Sequence, residues 1–200
     1  YLWFKKDISS RMEKFIELSI IVLADHGPNV SAAHNAIVAS RAGKDVISSL
    51  ASGLLTIGPR FGGAIDDAMK NWRNAVKNSI APKDFVSMHR IIPGIGHRVK
   101  SKFNPDKRVE IIKSYIKGPH MNFALEVEKE TLKKSEKLIL NVDGAIAAGL
   151  LDLFIESNFS DEEIEEFVNL GIGNALFALS RSIGIIGHVI DQKRLKQPLY

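Results

Sequence analysis

The chain has 200 residues, no cysteine and a formal net charge of +4 from 27 basic and 23 acidic side chains. The lack of cysteine excludes disulfides, thiolate metal sites and a cysteine nucleophile. The charge excess is mild and dispersed, whereas nucleic-acid-binding domains concentrate basic side chains on one face. Binding of a small anionic ligand accounts for this slight positive excess equally well. The chain is long enough to form one domain, or a lobe of a larger one, with a buried hydrophobic core.

The termini and the apolar runs indicate neither a signal sequence nor a membrane span. The longest apolar stretch, residues 145–155, is interrupted by Asp152 and is shorter than the roughly 20 residues that a spanning helix needs. The chain opens with Tyr1-Leu2-Trp3-Phe4 rather than with Met or a signal pattern. We therefore expect a start inside a longer polypeptide and no membrane association.

Apolar residues at helical spacing predict helices over most of the chain, and alternating strand patterns are nearly absent. A capping box is predicted at Ser160 and Glu163. The predicted helices include one through Met12 and Phe15 and others at about 30–41, 45–57, from 62–63 through Trp72, and 174–196. The predicted non-helical stretches are 24–29, 58–63, 93–105 and 142–144. These stretches contain the residues best suited to chemistry, as connecting segments often do.

The segment 93–98, Pro-Gly-Ile-Gly-His-Arg, places two glycines before a histidine. Glycines let a backbone turn sharply and approach a ligand closely. A histidine at such a turn can take or give a proton near neutral pH. The pattern is not Gly-x-Gly-x-x-Gly, and no strand–helix unit surrounds it, so a dinucleotide site is not predicted. His97 is a candidate acid–base residue, and a surface histidine after a glycine turn is the alternative.

Asp143 lies in the segment Asn-Val-Asp-Gly at 141–144, between an apolar run and a very apolar helix. Its carboxylate could cap that helix and interact favourably with the helix start. In apolar surroundings, the pKa of the carboxylate would instead rise, which suits it to proton transfer. Spacing alone favours the cap.

Two arginines and a second histidine complete the candidate residues. Arg181 stands in an apolar stretch, where a buried guanidinium needs an anionic partner from the protein or from a ligand. Bidentate pairing suits Arg108 and Arg181 to carboxylic acids, whereas an internal ion pair of Arg181, for example with Asp143 or Asp152, is the alternative. His26 lies in an Asp-His-Gly-Pro turn, and no acidic or cysteine side chain stands at the spacing that a metal site would need.

Five motifs together resemble the ATP-citrate lyase family and occur in that family's order. They are ADHGPNVSAAHN at 24–35, GLLTIGPRFGGAID at 53–66, PGIGHRVKSKFNPDKR at 93–108, NVDG at 141–144 and SRSIGIIGHVIDQKRLKQPLY at 180–200. The resemblance covers about 18–200, and a weaker part of it, the PGxGH loop with the NVD turn, is shared with citrate synthases. It implies the all-α citrate synthase-like fold, with residues 1–200 as a fragment of that domain truncated at both ends.

The resemblance implies cleavage of citryl-CoA to acetyl-CoA and oxaloacetate, as the lyase part of ATP-citrate lyase. The family's catalytic residues correspond to His26, His97 and Asp143, and its citrate-holding arginines to Arg108 and Arg181. Our hypothesis assigns the citryl hydroxyl to His97 as a base, the acetyl carbon to Asp143 as an acid, and the substrate carboxylate or thioester side to His26. No metal is implied in this domain.

Coenzyme A enters as a substrate and product. The resemblance lays its adenine and pantetheine arm along Ile92, Gly94, Ile95 and Gly96, and it makes Lys133 and Lys134 candidates for its phosphates. ATP and Mg²⁺ would bind only to a citryl-CoA synthetase module outside these residues. The family further implies a cytoplasmic homodimer or homotetramer paired through helices, with citryl-CoA, citrate, oxaloacetate and acetyl-CoA as ligands and with neither nucleic acid nor membrane as a partner.

Phe61 departs from citrate synthases, which carry a catalytic histidine in the corresponding Gly-Pro-x-His-Gly turn. A phenylalanine can neither donate a hydrogen bond nor shuttle a proton, so it favours the lyase family, which shares RFGG, and becomes a candidate substrate contact. A citrate synthase or 2-methylcitrate synthase is the nearest alternative function. An alternative of another class is a non-catalytic helical oligomerisation module that uses the apolar helices at 145–155 and 176–190.

Overall fold

The computed structural model describes residues 1–58 and 62–199. The described residues form ten helices and, apart from isolated bridges, no strand. The helices are α1 (Ser10–Leu23), α2 (Ser31–Arg41), α3 (Val46–Leu54), α4 (Ile65–Lys77), α5 (Pro82–Met88), α6 (Lys107–Tyr115), α7 (Pro119–Leu132), α8 (Val142–Glu156), α9 (Asp161–Leu170) and α10 (Ile172–Leu195). The predicted all-α class is confirmed.

Local capping chemistry sets several helix boundaries. The predicted capping box is confirmed, because Glu163 N–H donates to Ser160 Oγ (3.2 Å) and the Glu163 carboxylate accepts from Ser160 N–H (2.7 Å). Asp45 caps α3 by accepting from Ser48 N–H at 2.7 Å. Gly171 ends α9 at φ +82°, a left-handed conformation that glycine adopts without strain.

The predicted helix boundaries differ from the structure in two respects. Helices α5, α6 and α7 were not predicted from apolar spacing, and α3 ends at Leu54 rather than near 57. The predicted non-helical stretch at 142–144 is wrong, since these residues form the first turn of α8. The helix begins there because the side chain of the preceding residue, Asn141, accepts from Gly144 N–H at 3.1 Å.

The chain divides into two compact units, Tyr1–Phe15 with Ala64–Gly173 and Ile16–Gly63 with Asn174–Tyr200. Within the first unit, α8 is buried along nearly its whole length and packs against α4, α6 and α7. Gly149 in α8 allows Phe15 of α1 to approach closely, since a Cβ there would lie 2.4 Å from the Phe15 ring. A helix that is apolar on all sides is stable only inside such a core, so α8 is the central element of this unit.

Two aromatic clusters pack the core of the first unit. Trp72 lies within 6 Å of the rings of Phe85 and Phe123, and its Nε1–H donates to the Gly144 carbonyl at 3.1 Å. Phe4, Phe154, Phe159 and Phe167 form the other cluster, with centroid distances of 5.3 to 5.9 Å. Edge-to-face contacts at these distances add stability beyond area burial.

The second unit is built around α2, α3 and α10. Its core contains Ala32, Ala36, Ile185 and Val189, with α3 side chains packed on them. Among the described residues, α10 is long and apolar enough to cross a membrane by length and composition, a test that buried helices of soluble proteins also pass. Part of its apolar surface is accounted for by this core.

Candidate active site

The glycine loop at 94–97 lies along the segment 137–141 that leads into α8. Gly96 N–H donates to the Ile139 carbonyl (2.7 Å), and His97 N–H donates to the Lys137 carbonyl (3.1 Å). The Gly94 carbonyl accepts from Asn141 N–H at 2.9 Å. These bonds fix the backbone of His97 against the segment that carries Asp143, so both candidate acid–base residues belong to one local framework in the first unit.

Asn141 connects the glycine loop to the start of α8 through its side-chain amide. Its Nδ2–H donates to the Gly96 carbonyl at 3.0 Å, while its Oδ1 accepts from Gly144 N–H at 3.1 Å. The N-cap of α8 is therefore Asn141, and the interpretation of Asp143 as the cap is wrong. Asp143 instead lies half-buried in the first turn of α8.

The loop approaches α8 so closely that both contacting positions require glycine. A Cβ on Gly94 would lie 2.6 Å from Gly144 Cα, and a Cβ on Gly144 would lie 2.4 Å from the Gly94 carbonyl oxygen. Gly94 also adopts φ +88°, which side chains rarely tolerate. The clash at either position is with backbone, so it can be relieved only by separating the loop from the helix.

We expect Gly144→Ala to lower the free energy of unfolding by about 1–3 kcal/mol, since an added methyl group meets rigid backbone. Gly187→Ala is the matched control, because Gly187 lies in α10 and a methyl group added there would have no atom within 4 Å. That change should be neutral or stabilise by about 0.4–1 kcal/mol. Urea denaturation of both variants checks this, and equal stabilities would contradict the close approach.

The imidazole of His97 is oriented by its own loop. Its Nδ1 accepts from Val99 N–H (3.0 Å) and from Lys100 N–H (2.9 Å). The neutral ring therefore carries its proton on Nε2 and presents a donor there. Burial lowers the pKa of His97 and outweighs the opposing charge of Asp106, with the cations Arg108 and Lys100 lowering it further.

Arg108 is paired with an acid of its own helix start. Its Nε and Nη2 donate to the two carboxylate oxygens of Asp106 at 3.0 and 2.7 Å, and Asp106 also accepts from Arg108 N–H. Burial opposes ionisation of Asp106, but these bonds hold its pKa below the usual value. Within the described residues Nη1 makes no hydrogen bond, so a substrate carboxylate would meet an oriented guanidinium with one edge already in use.

A cavity of about 170 Å³ lies beside the predicted coenzyme A segment. Ile92, Ile95 and Lys134 line it, and so does Arg90, which the sequence analysis did not single out. Its walls are mostly apolar, and one of the two cations is already bonded, because Lys134 Nζ donates to the Val86 carbonyl at 3.3 Å. Lys133 is engaged elsewhere, because its Nζ pairs with Glu130 at 2.6 Å on the surface of α7.

The second unit holds the remaining predicted residues. His26 is exposed in the turn after α1, next to Asp25, whose Oδ1 bonds His188 Nε2 (2.9 Å) and accepts from Gly27 N–H (3.1 Å). Burial of Asp25 opposes ionisation, but these bonds lower its pKa. His188 thus anchors the turn that carries His26.

Arg181 is buried in α10, with its guanidinium 4.9 Å from the centre of the Phe177 ring. The predicted alternative of an ion pair with Asp152 is wrong, because Asp152 bonds His120 Nδ1 and the α7 backbone. Phe61, the remaining candidate substrate contact, lies outside the described residues.

Comparisons with known proteins place these features in a family context. The family model described as "Citrate synthase, C-terminal domain" matches residues 1–199. The chain is 53% identical to ATP-citrate synthase beta chain protein 1 of Arabidopsis thaliana, over 100% of this chain and 34% of that protein. The chain thus spans about a third of the length of this relative.

Two solved structures are similar to the whole chain. ATP citrate lyase from Methanothrix soehngenii, in complex with citrate and coenzyme A, is 56% identical with a TM-score of 0.96, covering 100% of this chain and 34% of that one. Citryl-CoA lyase from Hydrogenobacter thermophilus is 28% identical with a TM-score of 0.82, covering 100% of this chain and 76% of that one. The resemblance to ATP-citrate lyase that the motifs indicated is confirmed.

Proposed function

Because residues 1–199 match the C-terminal domain of citrate synthase and the chain thus belongs to that family, we propose that it is the part of an ATP-citrate lyase that cleaves citryl-CoA to acetyl-CoA and oxaloacetate. The observation that carries the proposal is the hydrogen-bonded contact between the glycine loop and the start of α8. This contact holds His97 and Asp143 in one framework, which is the arrangement that paired acid–base chemistry on one substrate requires.

Carbon–carbon cleavage converts the citryl hydroxyl carbon to a ketone and releases the acetyl-CoA enolate. We assign Asp143 to protonation of that enolate at carbon. The hydrogen bonds of His97 favour a role different from the base first expected, because the neutral ring offers Nε2–H to the hydroxyl oxygen as it becomes a carbonyl. The hydroxyl proton would then pass to a base other than His97, and His26 keeps the role first expected, at the substrate carboxylate or the thioester side.

The proposed substrate contacts follow from charge and orientation. Arg108 and Arg181 would hold the citrate carboxylates, with Asp106 fixing the first guanidinium. The coenzyme A arm would lie along Ile92 to Gly96, as first expected, and Arg90 joins Lys134 beside that segment. The ligands would be citryl-CoA, citrate, oxaloacetate and acetyl-CoA.

The proposed setting is a cytoplasmic homodimer or homotetramer. A citryl-CoA synthetase module, on the same chain or on a partner subunit, would supply citryl-CoA with ATP and Mg²⁺. The length of the similar ATP-citrate synthases, of which this chain spans about a third, leaves room for such a module.

The direct test supplies citryl-CoA to the full-length protein and detects oxaloacetate through malate dehydrogenase and NADH consumption. We expect oxaloacetate to form without ATP, because the proposed lyase step needs no nucleotide. Efficient formation of citrate from acetyl-CoA and oxaloacetate, without a nucleotide-dependent module, would instead identify a citrate synthase. No turnover in either direction would favour the oligomerisation module.

The pH dependence of cleavage should report the protonation of His97. Protonation at Nδ1 would set an N–H against the donors Val99 N–H and Lys100 N–H, so the neutral ring is the active form. Since burial and nearby cations lower the pKa of His97, kcat/KM should stay high through neutral pH and fall only below the ordinary histidine range. Lys100→Met removes one cation and should move this acid limb to higher pH. An unshifted limb would show that another group controls it.

A further inference from the structure

The segment that leads into α8 is hydrogen-bonded on two sides. The backbone groups of Lys137, Ile139 and Asn141 bond to the glycine loop. The two residues between them, Leu138 and Leu140, bond to side chains of α7 instead. This alternation is the hydrogen-bond pattern of an extended strand with a neighbour on either side. The segment therefore lies between α7 and the glycine loop, all within the first unit.

Glu128 of α7 makes the contact closest to the start of α8. Its Oε1 accepts from Leu140 N–H at 2.8 Å, and Leu140 is buried. Leu140 also pairs with Ile95 of the glycine loop in an isolated antiparallel bridge, and it directly precedes Asn141, the N-cap of α8. A buried N–H group needs an acceptor, so the Glu128 carboxylate stabilises the segment at the residue that joins the loop to the helix.

Thr131 makes the second contact, further along the same helix. Its Oγ1 lies 2.7 Å from the Leu138 carbonyl oxygen and 3.0 Å from the Glu128 carbonyl oxygen, and the side chain is buried. The shorter contact is thus the one to the segment. Residues three positions apart lie on one face of a helix, so α7 presents an acceptor and a donor side by side.

The surroundings of Glu128 make a carboxylate costly without a specific partner. Glu128 is half-buried and lines a cavity of about 180 Å³ together with Glu110 and Lys113 of α6. Burial raises the pKa of Glu128, the bond from Leu140 N–H and the charge of Lys113 oppose that rise, and Glu110 adds to it. The bond to Leu140 N–H accounts for an acidic side chain at this position.

From these contacts we infer that Glu128 is a positioning residue for the proposed cleavage of citryl-CoA, with Thr131 as the second contact of α7. Glu128 holds Leu140, and the segment so held fixes the backbone of His97 and leads into the first turn with Asp143. Small displacements of reacting groups are costly in rate. The inference rests on the proposed function, because the rate can change only if these two residues act on citryl-CoA.

The test compares Glu128→Leu with Glu128→Gln in the full-length protein, by oxaloacetate formation in a single turnover at saturating citryl-CoA. Leucine offers no acceptor to Leu140 N–H, and we expect the rate to fall about 10- to 100-fold. Glutamine keeps an acceptor oxygen and should restore the rate to within about threefold of the parent protein. Glu126→Leu is the matched control, since Glu126 is an exposed glutamate of α7, and it should change the rate by less than about twofold.

Hydrogen exchange of the same variants reports the positioning without the reaction. Peptides that cover 94–99 and 137–141 should exchange about fivefold faster in Glu128→Leu than in the parent protein, and at the parent rate in Glu126→Leu. Thr131→Val keeps the size of the side chain but loses the donor to Leu138. It should speed exchange of the same peptides, and it tests the clamp from α7 even where Glu128→Leu folds poorly.

Three results would overturn the inference in a parent protein that cleaves citryl-CoA. They are a full rate in Glu128→Leu, a loss in Glu128→Gln as large as in Glu128→Leu, and unchanged exchange of both peptides in Glu128→Leu and Thr131→Val. A parent protein that forms no oxaloacetate, although the exchange pattern is as expected, would instead overturn the proposed function and with it the role of Glu128 in cleavage. The two failures are therefore distinguishable.

Discussion

Asp143→Asn should reduce citryl-CoA cleavage by the full-length protein about 10²- to 10⁴-fold, the usual contribution of a positioned general acid. The amide keeps the size of the side chain but cannot deliver a proton to the acetyl-CoA enolate. Because Asn141 supplies the helix cap, the fold should tolerate the change. The measurement is oxaloacetate release from supplied citryl-CoA in a single turnover, with binding of coenzyme A measured separately.

The matched control for this variant is Asp67→Asn. Asp67 is also an aspartate in the first turn of a helix, α4, and its side chain is exposed. The same loss of negative charge near a helix start should leave cleavage within about twofold of the parent protein. Full activity of Asp143→Asn, or an equal loss in both variants, would remove Asp143 from the chemistry.

Asp152→Ala should lower the free energy of unfolding of the first unit by about 3–5 kcal/mol, as expected when one partner of a buried pair is removed. The carboxylate accepts from His120 Nδ1 and from the N–H groups of His120 and Met121, at 2.8 to 3.0 Å. Gly118 fits this acid so closely that a Cβ there would lie 2.3 Å from Asp152 Cγ. Truncation of Asp152 to alanine leaves these three buried N–H donors without an acceptor, and each such donor lowers the stability of the folded state.

Hydrogen exchange of α7 and α8 peptides in the full-length protein checks this prediction, because unmet donors at the start of α7 should speed local opening. Asp84→Ala is the control, since Asp84 lies exposed in the first turn of α5 and should leave exchange in α7 and α8 unchanged. Asp152→Asn retains one carbonyl acceptor and should fall between the two. Unchanged exchange in Asp152→Ala would mean that the carboxylate does not hold α7.

Much of the fold could be predicted from local sequence patterns. The spacing of Met12 and Phe15 and the Ser160–Glu163 capping box depend on neighbours within one or two turns, and both were found as expected. The shortest helix, α5, was missed because seven residues carry too little apolar periodicity for a pattern to stand out.

The residues of the candidate site stay a prediction, and the structure adds contacts that the sequence did not indicate. Residue types and motif order indicated His97, Asp143 and Arg108, and the structure puts these three in one unit. The tautomer of His97 and the pairing of Arg108 with Asp106 depend on how loop residues fold back. Such short-range contacts follow from backbone dihedral angles, which the sequence pattern does not specify.

By itself, the sequence determined the helical class, the helix ends with strong caps, and the set of residues on which citryl-CoA chemistry is proposed. Only the tertiary structure decided that the Asp152 carboxylate bonds to His120 and that Arg90 lies beside Lys134. The reason is the range of the interactions. Periodicity and capping act within a few residues, whereas the His120–Asp152 bond joins side chains 32 positions apart, and its partners are selected by packing of whole helices.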